Sequence, residues 1–237
     1  RRRLTLALLM ASIAGAAWWW RAGDETVSSE LGRRWPHDWA MLTSWRAEHP
    51  GSNVRHRPVP LTLVSPDLAA AVIAGEDAGF FGHGPLDFAS IREALSQYFD
   101  GRRLRGASTI SQQLAKNLYL SDERSLWRKL DEARLAYWLE RRLGKRRVLA
   151  LYLNIIELGD GIFGVESASR YYFGTSAAAL DRKQALSLAA AIPSPRIDNP
   201  STQTRTWERR RDIIDERLDA YPWIRERVAQ QPSGKSP

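Results

Sequence analysis

From Ser65 onward the apolar residues of this chain recur at intervals of three and four, and strict apolar-polar alternation nowhere exceeds a few positions. That period belongs to amphipathic helices, so the bulk of the chain is expected to be mainly α. Ser65-Pro66-Asp67 offers an N-cap with proline in the first helical turn, and Leu68, Val72 and Ile73 form a buried stripe behind it. The same spacing predicts helices at about 88–99, 109–118, 126–143, 145–158, 164–172, 182–191 and 206–220, with Pro193, Pro195 and Pro200 breaking the pattern before the last. No internal repeat is visible.

The N-terminal stretch reads differently. Arg1, Arg2 and Arg3 precede an uncharged run over residues 4–20, LTLALLMASIAGAAWWW. As a helix it would rise about 25 Å, most of a hydrocarbon core of roughly 30 Å. The arginines would stay in the cytoplasm, Trp18, Trp19 and Trp20 would sit at the far interface, and the remainder would be exported. Ala14-Gly15-Ala16-Ala17 would also suit a cleaved signal peptide, but three tryptophans directly afterwards fit an interface better than a mature N-terminus. The expected organisation is a transmembrane anchor over 1–20, a stalk or linker over 21–58, a catalytic domain over 59–220 and a tail over 221–237. In the stalk, Trp35, Trp39 and Trp45 suit an interface or a core equally. His37, His49 and His56 read as solvated imidazoles, since no second ligand type stands at metal spacing.

With 237 residues, 43% of them apolar, the chain can bury one substantial core and carry one appendage. Its 35 Lys and Arg against 27 acids give a net charge of +8, which calls for an anionic partner: nucleic acid, an anionic membrane surface or a phosphorylated substrate. The basic residues are dispersed and the N-terminus points to export, which argues against nucleic acid. The absence of cysteine excludes disulfides, thiolate metal sites and a cysteine nucleophile.

Three segments carry chemistry. Glu76-Asp77 ends an apolar helix and runs into Gly79, Phe80, Phe81, His83 and Gly84. A carboxylate among aromatic rings at such a place suits a general base, but on this segment alone an acidic helix end that caps neighbouring amides is the commoner explanation. In GASTISQQLAKN, Ser108 can cap a helix that presents Thr109, Gln112, Gln113 and Lys116 on one face, next to free amides that attract phosphate. In LWRKLDEARLAYWLERRL, Arg128 and Glu132 stand four residues apart, either a surface ion pair or an acid beside a phosphate-binding guanidinium. A basic, glycine-flanked loop, GRRLRGA, separates the first two segments, and Arg102, Arg103 and Arg105 could meet lipid head groups.

Together with RRVLALYLNIIELGDGIFGVESASRYYFG and LAAAIPSPRIDNP, these segments, in order from about residue 59 to residue 200, resemble the peptidoglycan glycosyltransferases of glycosyltransferase family 51. The lone anchor makes the monofunctional biosynthetic transglycosylases the nearest match. The resemblance implies a lysozyme-like, two-lobed domain behind an N-terminal transmembrane helix, placed in the periplasm on a single pass through the bacterial inner membrane. It implies polymerisation of lipid II into glycan strands, with inversion and release of undecaprenyl pyrophosphate. Glu76 is then similar to the base that deprotonates the acceptor 4-hydroxyl, and Glu132 to the family's second carboxylate. Lys116 and Arg128 resemble the pyrophosphate holders, Ser108, Thr109, Gln112 and Gln113 would line the substrate cleft, and Asp77, Phe80 and His83 would shape it. No cofactor is required by the resemblance, a divalent cation (Mg or Mn) could share the charge, and no protein metal cage is visible. Its partners would be lipid II, the nascent chain, membrane lipids and other wall-synthesis or division proteins. Two positions depart from the family pattern: Pro85 where a glycine is usual, and Gly79 where a basic or polar residue is common. A lytic glycosidase of the wall and a non-catalytic lipid II-binding scaffold are the alternatives.

Overall fold

The computed structural model describes residues 2–87, 108–120 and 125–230. The helix expected at 88–99 and the basic loop at 100–105 lie outside these. The fold is mainly helical: α1 (Arg2–Thr26), α2 (Ala40–Glu48), α3 (Pro66–Glu76), α4 (Ile110–Tyr119), α5 (Leu126–Ile155), α6 (Val165–Phe173), α7 (Arg182–Ala191), α8 (Arg205–Ala220) and α9 (Trp223–Ala229). Three short strands, β1 (Arg55–His56), β2 (Glu157–Gly159) and β3 (Ile162–Phe163), form a sheet in the order β1-β3-β2, parallel between β1 and β3 and antiparallel between β2 and β3.

The centre is α3. Every residue from Leu68 to Ala74 is buried, because three consecutive alanines present so little bulk that α7, α8 and α9 all close on it. A helix wrapped on all sides delivers its C-terminal residue to a fixed place, and that residue is Glu76. Beside it, α4 lies along α5. At Gly144 a φ of 72° interrupts α5, so the two helices expected at 126–143 and 145–158 are consecutive rods meeting at a kink.

The segment before α3 takes part in this core. Trp39, Leu42 and Trp45 are each buried, and Trp45 donates through Nε1 to Asp160 (2.8 Å) and stacks on His49. His56, expected to be solvated, bonds the Asn154 carbonyl at 3.0 Å, and burial pushes its pKa down. Asn154 also clamps Val59 through both its N–H (2.7 Å) and its carbonyl (2.8 Å). At the other end, α9 buries Ile224 and Val228 against the core within the stretch expected to be a tail.

The N-terminal run is helical, but α1 continues past Trp20 to Thr26, and among the described residues no helix is long and apolar enough to cross a membrane. Arg3 and Arg21 bound the apolar run, and its last turn is amphipathic indole rather than aliphatic. Trp19 and Trp20, expected at a lipid interface, lie instead against α5. Trp19 donates to Asp131 (3.1 Å) beneath the Arg134 guanidinium, and Trp20 packs on Tyr137 and Trp138. Trp18 stays exposed.

Candidate active site

Glu76 is the last residue of α3, and its side chain is only 10% exposed. Each carboxylate oxygen is met by one donor from a different helix: Oε2 by Nε2 of Gln113 on α4 (2.8 Å) and Oε1 by Nη2 of Arg210 on α8 (2.5 Å). The amide of Gln113 is in turn oriented by Tyr152 of α5, whose hydroxyl donates to its Oε1 at 2.7 Å. Burial pushes the Tyr152 phenol well above its ordinary pKa, so it remains a donor. Arg210 also reaches the Gly75 carbonyl (3.2 Å), and Arg217 reaches that of Ala74 (3.0 Å), which closes the open carbonyl end of α3. The acid is thus fixed by helices brought together from three distant parts of the sequence.

Asp77 points the other way. Its Oδ2 accepts the first helical N–H of α4, from Ile110 (3.0 Å), and its Oδ1 accepts from Nε2 of His83 (2.6 Å). The Nδ1 of His83 meets the Gly84 carbonyl at 2.5 Å, so both ring nitrogens face acceptors and the Asp77 hydrogen bond raises the imidazole pKa. Asp77 and His83 therefore lock the loop after α3 to the start of α4. Gly79 fits here for a steric reason: a Cβ would stand 3.0 Å from Cδ2 of His83. Pro85 likewise has a task, because its carbonyl accepts from the Thr109 hydroxyl (2.8 Å). Phe80 is fully buried beneath the Lys145 ammonium.

The cap of α4 is Thr109, where Ser108 was expected. Thr109 and Gln112 form a reciprocal capping box, and both are buried. The side chain of Gln112 is committed to the Thr109 N–H (2.9 Å) and does not line the cleft. Displaced from capping, Ser108 accepts from the Lys129 ammonium (2.9 Å). The expected common face of α4 is therefore reduced to Gln113 and Lys116, with Thr109 at its rim.

The cleft has two lobes. The larger, about 1100 Å³, is walled by α8 and by Glu76, Asp77, Ser108 and Thr109. The smaller, about 510 Å³, holds Gln113, Lys116 and Tyr152 and shares Glu76, Ser108 and Arg210 with the first. Glu132 and Arg128 line neither lobe. Glu132 is buried under two cations of its own helix, Arg128 (2.8 Å) and Lys129, and joins the cleft through the Lys129 bond to Ser108. No group of three or more histidine and carboxylate residues is arranged to hold a metal among the described residues.

Arg210, Arg217, Tyr152 and Lys129 were not foreseen as site residues. The motifs that carry the resemblance end near residue 200, before α8 begins, and no pattern within TWERRRDIIDERL marks which arginine meets an acid 134 positions earlier. A carboxylate held by a guanidinium and an amide, beside a lysine in a long open groove, is the equipment of a group-transfer site with an anionic leaving group. A family model described as Transglycosylase matches residues 43–219. The chain belongs to the transglycosylase family. It is 44% identical to the biosynthetic peptidoglycan transglycosylase of Methylobacillus flagellatus over 76% of this chain and 79% of that protein. Proteins of the same description from Chromobacterium violaceum and Nitrosomonas eutropha are 40% identical over 87% of this chain and 88% of theirs, and 39% identical over 91% and 88%.

Proposed function

We propose that this chain is a peptidoglycan glycosyltransferase that polymerises lipid II into glycan strands, with inversion at the anomeric carbon and release of undecaprenyl pyrophosphate. In this reading Glu76 takes the proton from the acceptor 4-hydroxyl as its oxygen attacks. The bond to the pyrophosphate oxygen breaks on the opposite face, and Lys116, with the Arg128–Lys129–Glu132 cluster across Ser108, receives the negative charge that develops there. Charge neutralisation is assigned to these side chains, and a divalent cation (Mg or Mn) could share it. The domain, taken as lysozyme-like, works at the outer face of the inner membrane. The 4–20 run is its anchor, and the docking of α1 on α5 keeps the cleft close to its lipid-linked substrate.

One observation supports this reading above all: Glu76 stands at the junction of the two lobes, held by Gln113 and Arg210, with Lys116 in the same groove. The whole 237-residue chain in detergent, given lipid II, is expected to yield polymer and free lipid pyrophosphate. Glu76→Gln keeps the shape and loses the base. Release of muropeptides from preformed glycan would instead identify a lytic enzyme, and a Glu76→Gln variant as active as wild type would overturn the role of Glu76.

A further inference from the structure

Along α8, Arg205, Arg209, Ile213 and Arg217 recur every four residues, and all four line the larger lobe of the cleft. Such spacing aligns side chains on one helical face. The arginines along this stripe differ in what they do. Arg217 is bonded to α3, as is the adjacent Arg210, whereas Arg205 and Arg209 are exposed and make no ion pair among the described residues. Helix stability does not account for them. Arg205 occupies the first helical position, where the helix dipole disfavours a cation. Of the carboxylates that line the lobe, Glu76 is met by Gln113 and Arg210, Asp77 by His83 and Ile110, and Asp198 by the Thr204 hydroxyl (2.5 Å), while Asp87 lines it too and has an interaction of its own.

Two guanidiniums one turn apart, roughly 6 Å at their Cβ atoms and without an ion pair among the described residues, thus face a groove that ends at Glu76. The groups expected to receive the pyrophosphate lie on the α4–α5 side. An anion on the α8 side is therefore a second anion, belonging to the same substrate at a distance from the bond that changes. A peptidoglycan repeat carries one: the short peptide on its sugar ends in carboxylate. Guanidinium is the side chain best matched to a carboxylate, through paired N–H donors.

We propose that Arg205 and Arg209 form a carboxylate subsite for the peptide stem of the glycan substrate, seating the disaccharide unit whose 4-hydroxyl faces Glu76. This rests on the glycosyltransferase reading, and the test separates the two. The wild type and an Arg205→Gln/Arg209→Gln variant, each with the whole 237-residue chain, are given two lipid-linked disaccharides, one with free stem carboxylates and one with those carboxylates amidated. Polymerisation by wild type establishes the enzyme. The variant is expected to show KM raised about tenfold for the free-acid substrate, kcat within twofold, and no change for the amidated one. Binding of a soluble stem-bearing muropeptide, followed by fluorescence anisotropy, should weaken by the same factor in the variant and provides a readout independent of turnover. An equal loss on both substrates would place a phosphate, not the stem, on these arginines and overturn the proposal. Unchanged KM and unchanged muropeptide binding would overturn it as well.

Discussion

The two carboxylates of the proposed mechanism are held in opposite ways. Glu132 takes both of its cations from its own helix, at i−4 and i−3, so a single stretch of chain contains the whole cluster. Glu76 takes Gln113 from α4 and Arg210 from α8, and Gln113 is aimed by Tyr152 of α5. A local cluster persists wherever its helix goes. A cluster spanning four helices exists only when the domain is assembled, and there it can be aligned with a substrate lying between them. The difference teaches that geometry at Glu76 is set by tertiary packing, whereas geometry at Glu132 is set by helical periodicity.

The comparison breaks most sharply at Glu76 itself. Glu76→Gln should lower kcat on lipid II by about 10²- to 10⁴-fold, the usual worth of a positioned general base, with the circular dichroism spectrum unchanged. Next comes the distant arginine. Arg210→Met removes one of two donors to Glu76, a charge-assisted bond worth roughly 1.5–3 kcal/mol. It should therefore cost on the order of 10- to 100-fold in kcat with KM nearly constant, and Arg210→Lys should recover part of the loss. Arg128→Met, the local counterpart, should raise KM for lipid II as well, since its partner cluster adjoins the pyrophosphate side. If Arg210→Met and Arg128→Met give the same split between kcat and KM, the contrast between the two acids has no functional content.

That contrast also explains what the sequence could disclose. Helices α4, α6, α7 and α8 lie within two residues of where the apolar period puts them, because each buries one face and each has a cap or break at its end. The Arg128–Glu132 pair follows from spacing alone. Arg210 does not, since long-range pairing of a surface-type arginine leaves no local pattern. Residues 39–48 were legible only as indoles of undecided environment: Trp39 and Trp45 are sealed by β3 and Asp160, which come more than 100 residues later. Thr109 displaced Ser108 as the cap because Gln112 stands three positions after it and completes the reciprocal box, a signal the sequence did contain.

A smaller effect is expected one step out from Glu76. Tyr152→Phe deletes the hydroxyl that holds Gln113 Oε1 while leaving the buried ring in place. Losing one neutral hydrogen bond of about 1 kcal/mol frees the amide to turn its oxygen toward Glu76. A fall in kcat of roughly fivefold should follow, and Gln113→Glu, which sets a second carboxylate against Glu76, should exceed it. A Tyr152→Phe variant indistinguishable from wild type would show that Gln113 is oriented by its backbone alone.

The smallest effect tests the local lock beside the long-range one. His83 has both ring nitrogens on acceptors, and the Asp77 hydrogen bond raises its folded-state pKa above the ordinary 6.5. A raised folded value means that folding is favoured most while the imidazole is charged in both states, below about pH 6.5. That contribution fades as pH climbs through the higher folded value. Wild type should therefore lose stability relative to His83→Gln between neutral and mildly alkaline pH, and the difference between them should become constant once the ring is neutral in both states. Denaturant midpoints of the two proteins, measured across that window, give the difference directly, and the His83 ring resonance followed by NMR should titrate above 6.5. A midpoint at or below 6.5 would mean that the Asp77 carboxylate does not hold the ring charged. The link from the first motif to the α4 N-terminus would then rest on the Asp77–Ile110 bond alone.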